Sequence, residues 1–195
     1  MDIRNFIRPI LAGLVGLGII VVVIVLLVRL FSGHGTTTTK QIDLAGYSTS
    51  PATTTLLIDA PTNIDQDHRQ IKITISQTQN EIDVLQGYQS TVIASRTYSN
   101  NAAAYGAFLS SLQLLNFTRG NSASDLKDYR GYCPTGDRYV MTFNDGSKDL
   151  FSYWATSCGS QGTFKGSKIA VLDLFRAQIP EHDYSLLTDP IPTGF

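Results

Sequence analysis

The sequence predicts an α+β fold. The expected domain is a mainly antiparallel sheet in the order β-β-β-α-β-β-α, with two helices packed on one side and one hairpin disulfide. It stands behind an N-terminal transmembrane helix and a flexible linker. Three patterns in the domain predict this. Ile71, Ile73 and Ile75 alternate with Lys72, Thr74 and Ser76, which is the period of a strand with one buried face. Tyr105, Phe108, Leu109, Leu112 and Leu115 recur at helical spacing and give one apolar face. Asp145-Gly146 separates two apolar runs, a hairpin signal because a type I′ turn needs positive φ at both central residues.

The first element is a run of 23 residues from Pro9 to Phe31 whose single charge is Arg29. At about 1.5 Å per residue, such a helix is long enough to cross a hydrocarbon core of about 30 Å. Arg4 and Arg8 precede the run, and Lys40 is the first certain charge after it. The positive-inside bias then predicts a cytoplasmic amino terminus, with residues 32–195 outside the cell membrane. Arg29 lies close enough to the outer end to snorkel into the interface. The competing reading is a cleaved signal peptide, whose apolar region spans about 7–15 residues before a small-x-small site. Ile10 to Val28 is longer, and the residues around Gly33 and Gly35 fit such a site poorly. Both readings export the domain. Ala12 and Gly16 are spaced for helix packing, a spacing that is also common by chance in apolar runs.

The expected organisation is therefore a cytoplasmic stub and anchor over 1–31, a Thr/Ser/Gly-rich linker over 32–69, an extracytoplasmic α+β domain over 70–184 and a Pro-containing tail over 185–195. The linker composition buries too little apolar area to offset chain entropy. Within it, Leu56, Leu57 and Ile58 suggest an edge strand or a lead-in to the domain. Outside the anchor the chain carries 12 basic and 15 acidic residues, a net of −3 with no basic cluster. That balance disfavours nucleic acid and anionic lipid surfaces as partners of the exported part.

In the domain, strands are predicted at 70–76, around Ile82 to Leu85 and at 90–98, with a turn at 78–80. Asn100 and Asn101 offer an N-cap for a helix over 101–116, and Gly120 offers a stop signal. Residues 119–131 read as a polar loop. Arg138 to Phe143 and Asp149 to Trp154 form the hairpin. A second helix over 168–179 is marked by Ile169, Leu172, Phe175 and Ile179 and ended by Pro180.

With Asp145 and Gly146 as the turn centre, Asn144 faces Ser147, and the same register sets Cys133 opposite Cys158. The cysteines then fall on a non-hydrogen-bonded pair, where Cα atoms lie about 4.5 Å apart and a disulfide can form. Pro134 and Gly136 disfavour a regular ladder so far from the turn, and a bulge would shift the register. Both cysteines would still lie at the open end of the hairpin. An oxidising exterior is where such a bond persists. The alternatives, a redox pair or a zinc site, lack a Cys-x-x-Cys spacing or a matched histidine pair. The same register puts Tyr139, Met141, Phe143, Leu150 and Trp154 on the core side. It leaves Val140, Phe151 and Tyr153 on the other, either under further strands or as an interaction surface.

Catalytic motifs are sparse. Asp65-Gln66-Asp67-His68 has oxygen ligands that suit a divalent cation but no calcium-loop spacing, and a polar turn before a strand explains it. No Gly-x-Ser-x-Gly elbow, phosphate-binding Gly loop or framed carboxylate pair occurs. Asn116-Phe117-Thr118 matches a glycosylation acceptor, which has meaning only in a eukaryotic secretory route. No cofactor or metal is expected.

Five local patterns carry a resemblance: Gln86-Gly87-Tyr88, Tyr105 to Leu109, Gly131 to Gly136, Trp154 to Gly159 and Gln178-Ile179-Pro180. Over residues 70–184 the chain resembles uncharacterised single-pass envelope proteins of small-genome candidate-phylum bacteria. The resemblance implies a bacterial cell envelope and brings no activity or catalytic residues with it. The expected function is a membrane-anchored, non-catalytic binding or assembly module. It would contact the lipid bilayer through residues 9–31 and an envelope protein through its domain. The competing expectation is an envelope hydrolase whose site is assembled in space; a pocket lined by several of Asp83, Asp137, Tyr88 and His68 would favour it, and no catalytic residue is assigned. A redox role for Cys133 and Cys158 is the third.

Overall fold

The computed structural model describes residues 42–121, 127–159 and 161–188. The apolar run 9–31 and the tail beyond Thr188 lie outside these residues. Among the described residues, no helix is long and apolar enough to cross a membrane.

Six strands form one sheet: β1 (Thr53–Asp59), β2 (Arg69–Ser76), β3 (Gln79–Gln86), β4 (Thr91–Ser99), β5 (Arg138–Asn144) and β6 (Asp149–Thr156). Their order across the sheet is β4-β3-β2-β1-β5-β6, and every neighbouring pair is antiparallel. Among the described residues three helices accompany them: α1 (Ala102–Leu114) between β4 and β5, then α2 (Lys168–Arg176) and α3 (Glu181–Thr188) after β6.

The linker expected over 32–69 ends early. Residues 44–47 already form a 3-10 turn, and β1, expected as an edge strand or lead-in, lies at the centre of the sheet between β2 and β5. Threonine is β-branched and packs well on a pleated surface, so a Thr-rich run makes a sound strand once both neighbours pair with it. Thr54 is wholly buried, between Ile75 of β2 and Phe143 of β5.

The inner face of the sheet carries Leu56, Ile73, Ile75, Ile82, Met141 and Phe143, all essentially inaccessible to solvent. Tyr105, Phe108, Leu109 and Leu112 of α1 and Val171 and Phe175 of α2 join them in one core. Tyr105 donates its hydroxyl to the Ala52 carbonyl at 2.8 Å, which satisfies the one polar atom this ring brings inside. Asn101 caps α1, its side-chain oxygen accepting from the Ala104 N–H at 3.0 Å. The stop comes sooner than Gly120. Asn116 takes the left-handed conformation (φ 58°), and the N–H groups of Asn116 and Phe117 donate to the carbonyls of Gln113 and Leu112. This is a Schellman closure with Asn in the place glycine usually takes. It swings Phe117 into the core, where the ring is fully buried.

The β5–β6 hairpin forms, but its loop runs over four residues, 145–148. Asp145 accepts from the Ser147 N–H, the Ser147 hydroxyl and the Lys148 N–H, and Asn144 accepts from the Gly146 N–H. These side-chain bonds stabilise a wider loop than a two-residue turn. The observed register pairs Tyr139 with Ala155, Met141 with Tyr153 and Phe143 with Phe151, an offset of three residues from the expected pairing. An odd offset exchanges the faces of one strand. Phe151 and Tyr153 therefore point into the core at 8% and 7% exposure, and Val140 shares the outer face with Trp154. The interaction surface expected from Val140, Phe151 and Tyr153 is not assembled, and Trp154 is not on the core side.

The disulfide between Cys133 and Cys158 is present, with Cα atoms 5.6 Å apart. It joins segments just beyond the ladder rather than a facing pair within it. Cys133 sits at φ 49°, and a Cβ at Gly136 would come within 2.7 Å of the Cys133 Sγ and 2.3 Å of the Ser157 Oγ. The bond therefore needs a glycine there. The outer edge of β6 is covered in turn. Phe164 donates its N–H to the Trp154 carbonyl at 2.9 Å, and the Trp154 N–H donates to the Thr163 hydroxyl at 2.9 Å.

α2 closes at Arg176, short of the 179 expected, and turns carry the chain over 177–179 to Pro180, which starts α3, since its carbonyl accepts from the N–H groups of Asp183 and Tyr184. The tail expected from 185 onward thus begins inside a helix. Tyr98 of β4 donates to Asp183 at 2.8 Å and ties α3 to the sheet.

Candidate binding cleft and a buried ion cluster

Two polar constellations lie at the same end of β1, one on each face of the sheet. The first is on the outer face, where Asp59 is the last residue of β1. Its Oδ2 accepts from Arg138 Nε at 2.8 Å, and its Oδ1 accepts from His68 Nε2 at 2.7 Å and Gln70 Nε2 at 3.0 Å. Arg138 also donates to the Thr62 hydroxyl at 3.2 Å and to the Ala60 carbonyl. Asp59, His68, Gln70 and Arg138 are all buried, at 5%, 1%, 6% and 3% exposure. The antiparallel register brings them together: Asp59 faces Gln70 on one side and Arg138 on the other. The carboxylate accepts three bonds and neutralises the guanidinium, which is what makes burial of either charge tolerable. Tyr88 lies stacked on the His68 ring, with centroids 4.2 Å apart, and its hydroxyl donates to the Asn63 carbonyl at 2.8 Å.

The second constellation is a cleft of about 430 Å³ on the inner face. The Tyr105 bond to Ala52 holds α1 at the amino end of β1. The carboxyl end is left to α2 and α3, which stand beside it without filling it. Leu56 and Ile58 of β1 and Ile71 and Ile73 of β2 make an apolar floor, with Leu172 of α2 as a wall. Arg69, Asp137, Tyr139, Asp173, Arg176 and Tyr184 make a polar mouth. Clefts of about 300–1,000 Å³ with apolar walls and a few convergent polar groups are the usual form of small-ligand sites.

The polar groups at the mouth differ in what they already hold. Arg176 pairs with Glu181 at 3.0 Å and lies over the Tyr184 ring, 4.5 Å from its centroid. Tyr139 donates to Asp137 at 3.2 Å. Burial, and then the Asp137 carboxylate beside it, push the Tyr139 hydroxyl up to about 12. It is a neutral hydrogen-bond donor near pH 7 and a poor proton acceptor there. Burial raises Tyr184 as well.

The residues named from sequence as a possible hydrolase site are divided between these places. His68 and Tyr88 stack on the outer face. Asp83, also on the outer face, accepts from the Ser95 hydroxyl at 2.7 Å and lies 3.7 Å from Lys72 Nζ. Asp137 alone lines the cleft. Asp65 to Asp67 form a 3-10 turn, as expected of a polar turn, and Asp65 accepts from the Tyr88 N–H at 2.7 Å. His68 leaves that turn and goes inward. Arg138 and Asp59, 79 positions apart, carried no sequence signal as a pair. Asp173, Arg69 and Tyr139 of the cleft carried none as a group either, since five different elements bring the lining together. No protein-family model matches the chain, and no curated protein and no solved structure matches it.

Proposed function

We propose that this chain is a membrane-anchored, extracytoplasmic binding module of the cell envelope, and that it binds its ligand in the inner-face cleft without turning it over. The carrying observation is the cleft itself: an aliphatic floor under a mouth with charges of both signs. Tyr139 at that mouth keeps its proton near pH 7 and donates it to Asp137, so it is not poised there as a base. Export is supported by the apolar run 9–31 behind Arg4 and Arg8 and by the Cys133–Cys158 bond, which is at home in an oxidising compartment.

Two measurements test this. An environment-sensitive apolar dye, anilinonaphthalene sulfonate, is added to the full chain in detergent micelles. Its protein-dependent fluorescence is expected to fall when Leu172→Trp fills the cleft; an unchanged signal removes the cleft. Maleimide labelling of intact cells is expected to modify Cys133 and Cys158 only after reduction; labelling without reductant removes the exported location.

The envelope-hydrolase reading has one observation in its favour, the two carboxylates Asp137 and Asp173 lining one cleft. Turnover of an envelope glycan or peptide that disappears in Asp137→Asn would replace the binding reading with it.

A further inference from the structure

The charges at the mouth of the cleft are of two kinds, committed and uncommitted. Arg176 is committed to Glu181 and to the Tyr184 ring, and Asp137 to the Tyr139 hydroxyl. Arg69 is half committed. Its Nη1 donates to the carbonyls of Gln66 and His68, at 2.8 and 3.1 Å, which fixes the guanidinium and leaves its other N–H groups unbound among the described residues. Asp173 makes no side-chain hydrogen bond or ion pair among the described residues. Arg69 and Asp173 line the same cleft and are not within ion-pair distance of each other. One anchored cation and one open carboxylate therefore flank an aliphatic floor.

Resting on the binding reading above, we infer that the ligand is a zwitterion with a branched aliphatic body: an apolar amino acid or a short apolar peptide. Its carboxylate meets Arg69, its ammonium meets Asp173, and its side chain lies on Ile58 and Ile71. A purely anionic amphiphile would leave Asp173 facing it unpaired, and a purely cationic one would leave Arg69 so. A polar zwitterion would leave the floor facing water. Guanidinium–carboxylate pairing is charge-assisted and directional, and a hydrogen bond to a charged group is worth enough to change affinity by about tenfold or more.

The test is calorimetric titration of the full chain in detergent micelles with L-leucyl-L-leucine and with L-leucine. Which of the two binds more tightly separates a peptide from a free amino acid as the source. Three controls each lack one feature: N-acetyl-leucyl-leucine lacks the ammonium, leucyl-leucinamide the carboxylate and glycyl-glycine the apolar body. Each is expected to bind about tenfold or more weakly than the dipeptide. Asp173→Asn, an exposed change with no contact to lose, is expected to weaken the dipeptide and leave the N-acetyl compound unaffected. Arg69→Gln is expected to weaken the dipeptide and leave the amide unaffected. Equal binding of all four dipeptide compounds overturns the zwitterion. No binding of any of them, with the dye still expelled by Leu172→Trp, overturns the ligand class and leaves the cleft standing. No binding together with an unchanged dye signal overturns both.

Discussion

The inner face of the sheet buries Leu56, Ile73, Ile75, Met141 and Phe143 against α1 and α2, whereas the outer face buries Asp59, His68, Gln70 and Arg138 at one end. On the inner face the stabilising free energy is spread over many contacts between side chains of similar shape. On the outer face it is concentrated in a few atoms around one carboxylate. Dispersion and hydrophobic burial degrade gradually when one group is removed. A charge cluster does not, because each member makes burial of the others tolerable. The first face is robust and the second is brittle, although both belong to the same six strands.

The largest loss is expected from Asp59→Ala. It leaves the Arg138 guanidinium and the His68 ring buried without their shared acceptor, and a loss of about 3–5 kcal/mol is expected in denaturant unfolding. Replacing the set together, with Asp59→Leu, His68→Phe and Arg138→Met, is expected to cost less than Asp59→Ala alone, because no charge is then stranded. If the triple variant is the weaker protein, the outer face is not brittle in this sense. On the inner face, Leu109→Ala is expected to lose about 3 kcal/mol through transfer and cavity terms.

The disulfide acts on what covers the outer face. Tyr132, next to Cys133, lies 4.8 Å from the Trp154 ring on the outer face, and the Thr62 N–H donates to the Pro134 carbonyl at 2.8 Å. The bond thus holds the loop that covers this face. Cys133→Ser with Cys158→Ser is expected to lose about 3–4 kcal/mol in the chain-entropy picture. Trp154 is the only tryptophan, so its emission is expected to shift to the red if the cover loosens. An unshifted spectrum would mean the cover holds without the bond.

The inner face was largely legible in the sequence and the outer cluster was not, for a physical reason. Helix α1 and the β2–β3 hairpin announce themselves through local periodicity, because Ile71 to Ile75 and Tyr105 to Leu112 each repeat within one element. Strand β1 repeats poorly. Its Thr53-Thr54-Thr55 start has a linker's composition and becomes a strand only through pairing on both sides. The β5–β6 register depended on the loop. Side-chain bonds from Asn144 and Asp145 widened that loop, and the odd offset carried Phe151 and Tyr153 inward. The cysteine pairing survived that offset because both cysteines sit beyond the ladder, where proximity matters more than register. Asp59 and Arg138 meet only because β1 pairs with β5. The cleft exists only because α2 and α3 flank one end of the sheet while α1 covers the other.

A smaller effect concerns how α1 is held on the inner face. Asn101→Ala removes the acceptor of the Ala104 N–H and is expected to cost about 1 kcal/mol. Asn101→Gly is expected to cost only a few tenths. Equal losses would show that the backbone conformation of the cap, rather than its side-chain bond, is what matters.

The smallest effect is visible only at high pH, where the inner face has a titratable weakness of its own. Tyr139 stands at about 12 against the ordinary tyrosine value of 10.0, because burial and the neighbouring Asp137 disfavour its anion. Between those values the unfolded chain has released this proton and the folded chain still holds it. Unfolding therefore becomes more favourable as pH rises. The contribution is fully present below pH about 10 and is lost through about 12. Tyr139→Phe is expected to make the decline in stability over this window shallower, measured as unfolding midpoint against pH, with little change at pH 7. Tyr105, Tyr153 and Tyr184 are shifted in the same direction by burial, so part of the decline is expected to remain in the variant. A decline unchanged by Tyr139→Phe would place the alkaline sensitivity wholly on other buried rings and leave Tyr139 without a part in it.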